Sequence, residues 1–205
     1  MIACLDLEGV LVPEIWINFS EKTGIKELSL TTRDIPDYDE LMQRRLKILN
    51  EHKLKIQDIQ EVIGTLKPLS GAVDFLNQLR TEFQVIILSD TFYQFASPLM
   101  RQLGYPTLFC HNLEVGTDGT ILNYRLRMPD QKREAVKRLK ELNFKVVAAG
   151  DSYNDTSMLQ EAHRGILFTP PKNVIEEFPQ FPVTNNYAEL SAAFTRAKSE
   201  LGNID

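Results

Sequence analysis

The sequence predicts an α/β protein, a parallel sheet with helices on both faces, interrupted by helices after the first strand and by a β-hairpin after the third. Three observations predict this fold. From Gly71 onward, short apolar runs alternate with segments whose apolar residues recur at helical spacing. The runs are apolar throughout rather than alternating, as in strands that are covered on both faces. Residues 13–68 show only helical spacing, which indicates an insertion.

The predicted strands lie at 2–7, 85–88, 107–109, 146–149 and 166–168. One crossover helix is expected around Val73, Leu76 and Leu79, and another around Val136, because apolar residues recur there every three or four positions.

The insertion contains three helical segments. The first ends at Gly24, the second begins after Pro36, and the third ends before Pro68. We therefore predict a helical cap at 13–68 and an α/β core formed by 1–12 and 69–205. Asp118-Gly119, flanked by alternating apolar residues within 113–127, predicts the hairpin. The last dozen residues are expected to fray.

The composition excludes several classes of function. The 205 residues carry 23 Lys and Arg against 28 Asp and Glu, a net charge of −5, which disfavours nucleic acids and anionic membranes as partners. No apolar run approaches the roughly 18 residues of a membrane-spanning helix. Cys4 and Cys110 each stand alone in an apolar stretch, which favours buried, reduced thiols. The N-terminus lacks a basic leader, so a cytoplasmic location is expected.

Polar clusters follow three predicted strands, at the edge where parallel sheets bind ligands. These clusters are Asp6-Leu7-Glu8-Gly9, Ser89-Asp90-Thr91 and Gly150-Asp151-Ser152-Tyr153-Asn154-Asp155. Any one of them alone reads more simply as a helix cap or a turn. Together they bring Asp6, Glu8, Asp151 and Asp155 close to one another, and such carboxylates repel unless a divalent cation lies among them. Oxygen ligands favour Mg²⁺ over zinc.

Lys132 opens the helix before the fourth strand and would lie at the same edge, where it could neutralise an anion. A solvated lysine at a helix end is the alternative. The histidines, His52, His111 and His163, have no ligand spacing and are predicted to be isolated.

The ordered set of three clusters and Lys132 resembles the four motifs of the haloacid dehalogenase-like superfamily of phosphohydrolases. The resemblance covers nearly the whole chain and implies a Rossmann-like core with a cap. Within the superfamily the sequence is most similar to phosphoserine phosphatases, and to the bifunctional ones that also transfer phosphate to homoserine. The stretches LDLEGVLVPEIW, TTRDIPDYD, LSDTFY and AAGDSYNDTSML carry this likeness.

This resemblance implies a mechanism. Asp6 is the nucleophile that forms an aspartyl-phosphate. Mg²⁺ is held by Asp6, the Glu8 main-chain carbonyl and Asp151, and Asp155 orients its water shell. Lys132 and the Ser89 hydroxyl take phosphate oxygens.

Glu8, two residues after Asp6, returns to the same face of a strand and serves as acid and base. Most relatives carry Asp at that position, so the reach of the side chain differs here. Asn154 fixes the local loop or touches the substrate.

The resemblance also implies substrate contacts from the cap, with Glu14 meeting an ammonium group and Arg45 a carboxylate. A helix-terminal acid and a solvated helix face are the alternatives. Asp90 and Thr91 replace the usual Gly-Gly and should narrow or repolarise the pocket. The expected partners are a small phosphorylated amino acid and homoserine as acceptor, with the chain a monomer or a homodimer.

Two other functions stay open at this point. One is a phosphatase for another small phosphorylated metabolite, and the other is a regulatory module that accepts phosphate on Asp6 without turnover.

Overall fold

The computed structural model describes residues 1–31, 34–35 and 37–202. Thr32, Arg33 and Pro36 lie outside the described residues, so the predicted helix boundary at Pro36 and part of the stretch TTRDIPDYD do too. Within the described residues, no helix combines the length and the apolar character that crossing a membrane would require.

In the part of the chain that the structure describes, a seven-stranded sheet forms the centre, in the order β4-β3-β2-β1-β5-β6-β7, with only β4 antiparallel to its neighbour. The strands are β1 (Ile2–Leu5), β2 (Gln84–Phe92), β3 (Thr107–Val115), β4 (Ile121–Arg125), β5 (Val146–Gly150), β6 (Arg164–Phe168) and β7 (Val183–Thr184). The α/β fold class and the hairpin, formed by β3 and β4, are confirmed.

Two strands run further than their apolar cores predicted. β2 continues to Phe92 instead of Leu88, because the pairing with β3 resumes at His111 after a register shift. β3 continues to Val115 because its second half pairs with β4. The cluster Ser89-Asp90-Thr91 therefore lies in the irregular part of a strand rather than after it.

Alternation along β1 explains why its sequence is apolar throughout. Ala3 and Leu5 belong to one apolar cluster, and Ile2 and Cys4 belong to a second cluster. Successive side chains of a strand point to opposite faces. Both faces of the sheet are therefore covered, as predicted, and Cys4 and Cys110 are buried thiols.

The helices are α1 (Ile15–Thr23), α2 (Tyr38–Glu51), α3 (Ile56–Gly64), α4 (Ala72–Arg80), α5 (Tyr93–Gln102), α6 (Gln131–Glu141), α7 (Thr156–Glu161), α8 (Lys172–Glu177) and α9 (Tyr187–Gly202). Helices α1 to α3 fall within 13–68, and Phe19, Met42 and Ile59 share an apolar cluster with Leu5 of the sheet. The division into cap and core stays a prediction. The expected fraying is wrong up to residue 202, because α9 is regular and Leu201 is buried.

Candidate functional site

A cavity of about 490 Å³ opens at the carboxyl ends of the parallel strands, between the sheet and helices α1 and α2. Most predicted site residues line it: Asp6, Glu8, Glu14, Arg45, Ser89, Asp90, Thr91, Lys132 and Asn154. Asp151 and Asp155 complete an acidic group with Asp6. The structure thus brings together the three clusters that lie far apart in the sequence.

Asp6 follows β1 and is buried. Its Oδ1 accepts hydrogen bonds from the Leu7 amide at 2.7 Å and lies 2.9 Å from Lys132 Nζ. Lys132 Nζ also donates to Asp155 Oδ1 at 2.7 Å and lies 3.4 Å from Asp90 Oδ2. The alternative of a solvated lysine is wrong, because Lys132 is only 2% exposed. Burial would lower the pKa of Lys132, yet Asp155, Asp6 and Asp90 raise it well above its usual range.

Carboxylate oxygens of Asp6, Asp151 and Asp155 lie within 4.8 Å of one another. Burial, followed by the charge of Asp155, raises the pKa of Asp6 well above its usual range and that of Asp151 to about 7. Such a group of hard oxygen donors is disfavoured as three charges and fits a divalent cation.

Asp155 is the most firmly held member of this group. It is fully buried, and its Oδ2 accepts from the amides of Asp151 at 3.0 Å and Ser152 at 3.2 Å. Since Oδ1 accepts from Lys132, both oxygens are already occupied. Asp155 therefore orients its neighbours, and Asp151 and Asp6 are better placed to offer a free oxygen.

Gly9 makes this approach possible. Its φ of +76° is a left-handed conformation, and a Cβ atom there would clash with the carboxylate of Asp151. Only glycine allows the β1 loop and the Asp151 side chain to come this close.

Glu8 faces the inserted helices. Its Oε2 accepts a hydrogen bond of 2.7 Å from the amide of Ile15, the first residue of α1. Burial, followed by the charge of Glu14, raises the pKa of Glu8 to about 8, although the Ile15 bond opposes this. Glu8 can therefore carry a proton at neutral pH.

Arg45 reaches the cavity from α2. It is 7% exposed, so the alternative of a solvated helix face is wrong. Its Nη2 donates to the Leu30 carbonyl at 2.7 Å, and its guanidinium lies 4.3 Å from the Trp16 ring centre. Its Nε is buried without a hydrogen-bond partner among the described residues. Burial lowers the pKa of Arg45 to about 10, which leaves it charged. Glu14 lines the same cavity and is exposed.

Ser89 and Thr91 are buried in the irregular part of β2, where Ser89 Oγ accepts from the Thr91 amide at 3.2 Å. Asp90, between them, accepts from Asn154 Nδ2 at 3.1 Å and Gln131 Nε2 at 3.3 Å. Burial would raise the pKa of Asp90, but Lys132 and the hydrogen-bond donors around it hold that pKa well below its usual range.

Gln131 and His111 are site residues that sequence reasoning missed. The prediction that His111 is isolated is wrong, because its Nε2 lies 3.6 Å from Asp90 Oδ1 and its ring lines the cavity. The signals were present: Gln131 precedes Lys132, and His111 lies on the strand beside the one that carries Asp90.

Comparisons with known proteins identify the family of this chain. A model of the haloacid dehalogenase-like hydrolases matches residues 2–163. The chain is 64% identical to the phosphoserine phosphatase ThrH of Pseudomonas aeruginosa over 97% of both chains. It is 62% identical to a phosphoserine phosphatase of Pseudomonas syringae pv. tomato, covering 97% of this chain and 84% of that one.

Among solved structures, a phospho-aspartyl intermediate analogue of phosphoserine phosphatase superposes with a TM-score of 0.73 at 18% identity, over 95% of this chain and 97% of the other. At that identity the superposition supports the fold alone. The family model and the two relatives from Pseudomonas establish that the chain belongs to the haloacid dehalogenase-like hydrolases.

Proposed function

We propose that this protein is a Mg²⁺-dependent phosphatase that hydrolyses L-phosphoserine through an aspartyl-phosphate, an acyl phosphate formed on Asp6. The observation that carries the proposal is the position of the buried Asp6 carboxylate, 2.9 Å from Lys132 Nζ and beside Asp151 and Asp155. The high identity to a phosphoserine phosphatase over nearly the full length supports the choice of substrate.

In the first half-reaction, an oxygen of Asp6 attacks phosphorus and forms the aspartyl-phosphate bond, while the bond between phosphorus and the serine oxygen breaks. Glu8 supplies the proton that the leaving oxygen needs, consistent with its pKa of about 8. In the second half-reaction, water attacks the same phosphorus, Glu8 takes a proton from that water, and Asp6 is released as a carboxylate.

The surrounding residues lower the electrostatic barrier between two anions. Lys132 neutralises one phosphate oxygen, and the Ser89 hydroxyl donates to another. Asp6, Asp151 and the main-chain carbonyl of Glu8 would hold Mg²⁺, and Asp155 would orient its water shell. Bound there, the ion would supply positive charge that reduces the repulsion between the nucleophile and the phosphate.

Arg45 and Glu14 are proposed to select the amino acid. The Nε of Arg45 is a buried donor without a hydrogen-bond partner among the described residues, and Arg45 lines the cavity, where its guanidinium could bind a substrate carboxylate. Glu14, exposed on the rim of the same cavity, would meet the ammonium group.

Transfer of phosphate to homoserine is the second proposed activity. The homoserine hydroxyl would attack the aspartyl-phosphate in place of water, with Glu8 again taking the proton. We further propose a cytoplasmic enzyme that is a monomer or a homodimer and whose partners are these small molecules.

The decisive test is turnover on a panel of phosphorylated metabolites with and without EDTA, with homoserine added as acceptor. We expect phosphate release from phosphoserine that EDTA abolishes, and Asp6→Asn should be inactive. Mg²⁺-dependent turnover by Asp6→Asn would refute the covalent mechanism. A single equivalent of phosphate taken up without turnover would favour a regulatory module.

Arg45→Ala tests the substrate, with Arg44→Ala as the matched control on the exposed side of α2. We expect Arg45→Ala to raise the KM for phosphoserine by roughly 10- to 100-fold. Hydrolysis of p-nitrophenyl phosphate, which has no carboxylate, should change little. An unchanged KM for phosphoserine would favour another phosphorylated metabolite.

A further inference from the structure

We infer that Asp90 is a positioning residue that reduces the effective charge of Lys132, and that Gln131 and His111 hold the Asp90 carboxylate in place for this purpose. The inference rests on the proposed function only in that Lys132 receives the phosphate. It adds two residues, Gln131 and His111, that touch neither the nucleophile nor the acidic group.

Hydrogen-bond donors surround the Asp90 carboxylate. Its Oδ2 accepts from Asn154 Nδ2 at 3.1 Å and lies 3.4 Å from Lys132 Nζ. Its Oδ1 accepts from Gln131 Nε2 at 3.3 Å and faces His111 Nε2 at 3.6 Å. Because donors of the chain itself engage both oxygens, the carboxylate is committed to the cavity wall rather than to a ligand.

Gln131, one of these donors, is itself held rigidly. Gln131 is 1% exposed, and its Nε2 also donates to the Ser89 carbonyl at 2.6 Å. Its Oε1 accepts from Arg127 Nη2 at 2.7 Å, so both ends of the amide are fixed.

His111 is fixed in a similar way. It is 3% exposed, and its Nδ1 accepts from the Arg127 amide at 3.0 Å. That bond assigns the ring proton to Nε2, the atom that faces Asp90.

Negative charge surrounds the Lys132 ammonium group. One ammonium group faces Asp155 at 2.7 Å, Asp6 at 2.9 Å and Asp90 at 3.4 Å. Asp6 is the proposed nucleophile, and Asp155 belongs to the acidic group. Asp90 therefore adds a further negative charge beside Lys132. A phosphate that enters meets a lysine already surrounded by carboxylates, and it binds less tightly than it would without Asp90. Fast release of the phosphate product is the expected benefit.

Inorganic phosphate is the probe for this inference. Its inhibition constant is measured against hydrolysis of p-nitrophenyl phosphate, and its affinity is measured by calorimetry with Mg²⁺ present. We expect Asp90→Asn to lower the inhibition constant about tenfold, because one unit charge near the phosphate is removed. An unchanged or higher constant in Asp90→Asn would overturn the inference.

The role of His111 is tested with two variants at that position and one control. His111→Leu should lower the constant about threefold, since it loosens Asp90 without removing it, and His111→Gln, which keeps a donor near the Nε2 position, should restore it. His163→Leu is the matched control, because His163 Nδ1 also accepts a backbone hydrogen bond, from Val146 at 3.1 Å, at the amino ends of β5 and β6 and away from the cavity. Where His111→Leu fails to fold, Gln131→Met takes its place.

The double variant separates support from an independent effect. We expect His111→Leu to change nothing further in the Asp90→Asn background. Additive effects, or a shift of the same size in His163→Leu, would overturn the role of His111. Calorimetry gives these results even if the protein does not hydrolyse phosphoserine, so this inference and the proposed function can fail separately.

Discussion

Replacement of Lys132 by methionine tests how much the buried ion cluster contributes to stability. Lys132 Nζ is the ammonium that faces Asp6, Asp90 and Asp155, all within 3.4 Å. Methionine keeps most of the side-chain volume but leaves two buried carboxylates, Asp6 and Asp155, without their cation. Removing one partner of a buried ion pair costs about 3–5 kcal/mol, and we expect a loss of that size in the free energy of unfolding.

The pKa of Lys132 determines how this loss of stability depends on pH. Although burial opposes it, the carboxylates raise the folded-state pKa of Lys132 above the unfolded value. The contribution of such a group is fully present below the unfolded pKa and is lost only as the pH rises through the folded pKa. The full difference between wild type and variant is therefore expected at pH 7. It should shrink toward pH 5, since the carboxylates of the variant can take up protons.

Urea unfolding in EDTA, followed by Trp16 fluorescence, measures the loss. A difference of about 4 kcal/mol corresponds to a midpoint shift of roughly 1–2 M urea. Lys140→Met is the control on the same helix, because Lys140 pairs with the partly exposed Glu161 at 2.8 Å. That pair should contribute about 1 kcal/mol or less. The reasoning is refuted if Lys132→Met destabilises the protein no more than Lys140→Met.

Three further predictions concern the acidic group and its surroundings. Without a metal, the pKa of Asp151 is about 7 in the folded state against an ordinary value of 3.8. In EDTA the stability of the protein should therefore fall as the pH rises from about 4 to 7. Asp151→Asn should flatten this slope, as measured by thermal melts at pH 5 and 8. Gly9→Ala should destabilise the protein more than Gly24→Ala and abolish turnover. Both positions have positive φ, but of these two only Gly9 would bring the new methyl group against Asp151. Equal melting temperatures of the two variants would contradict the clash. Glu8→Gln should lower kcat by roughly 100-fold or more with little change in KM, and retention of full kcat would exclude Glu8 as the proton donor.

The parallel-sheet rule explains how much of the site could be predicted from sequence. Strands β1 and β5 are short and apolar, so both are easily recognised, and Asp151 directly follows β5. The predicted end of the first strand at residue 7 is wrong, because β1 ends at Leu5 and Asp6 follows it. The resemblance to a phosphohydrolase family added Lys132 and Arg45, which lie on helices and which no strand rule would select.

The remaining contacts depend on features that local sequence does not encode. Arg44 and Arg45 are adjacent and chemically identical, and only the packing of α2 decides that Arg45 is buried against Trp16 while Arg44 is exposed. The contacts of Asp90 depend on the register shift between Leu88 and Phe92, which extends β2 beyond its apolar run. A strand assigned by its apolar residues ends before that shift, so His111 was not expected beside Asp90.

The proposed mechanism makes opposite demands on Asp6 and Glu8, which would explain why glutamate can stand two residues after the nucleophile. The nucleophile must be ionised, and Asp6 points to Lys132 and to the acidic group, where a cation would favour the charged form. The acid must hold a proton, and Glu8 instead reaches the amide of Ile15 at 2.7 Å, the first residue of the inserted helices. Burial raises the pKa of Glu8 to about 8. Burial raises the pKa of both carboxyl groups, and a cation bound at the acidic group would lower that of Asp6 alone. The proposed mechanism therefore relies on that cation to separate the protonation states of the two groups at neutral pH.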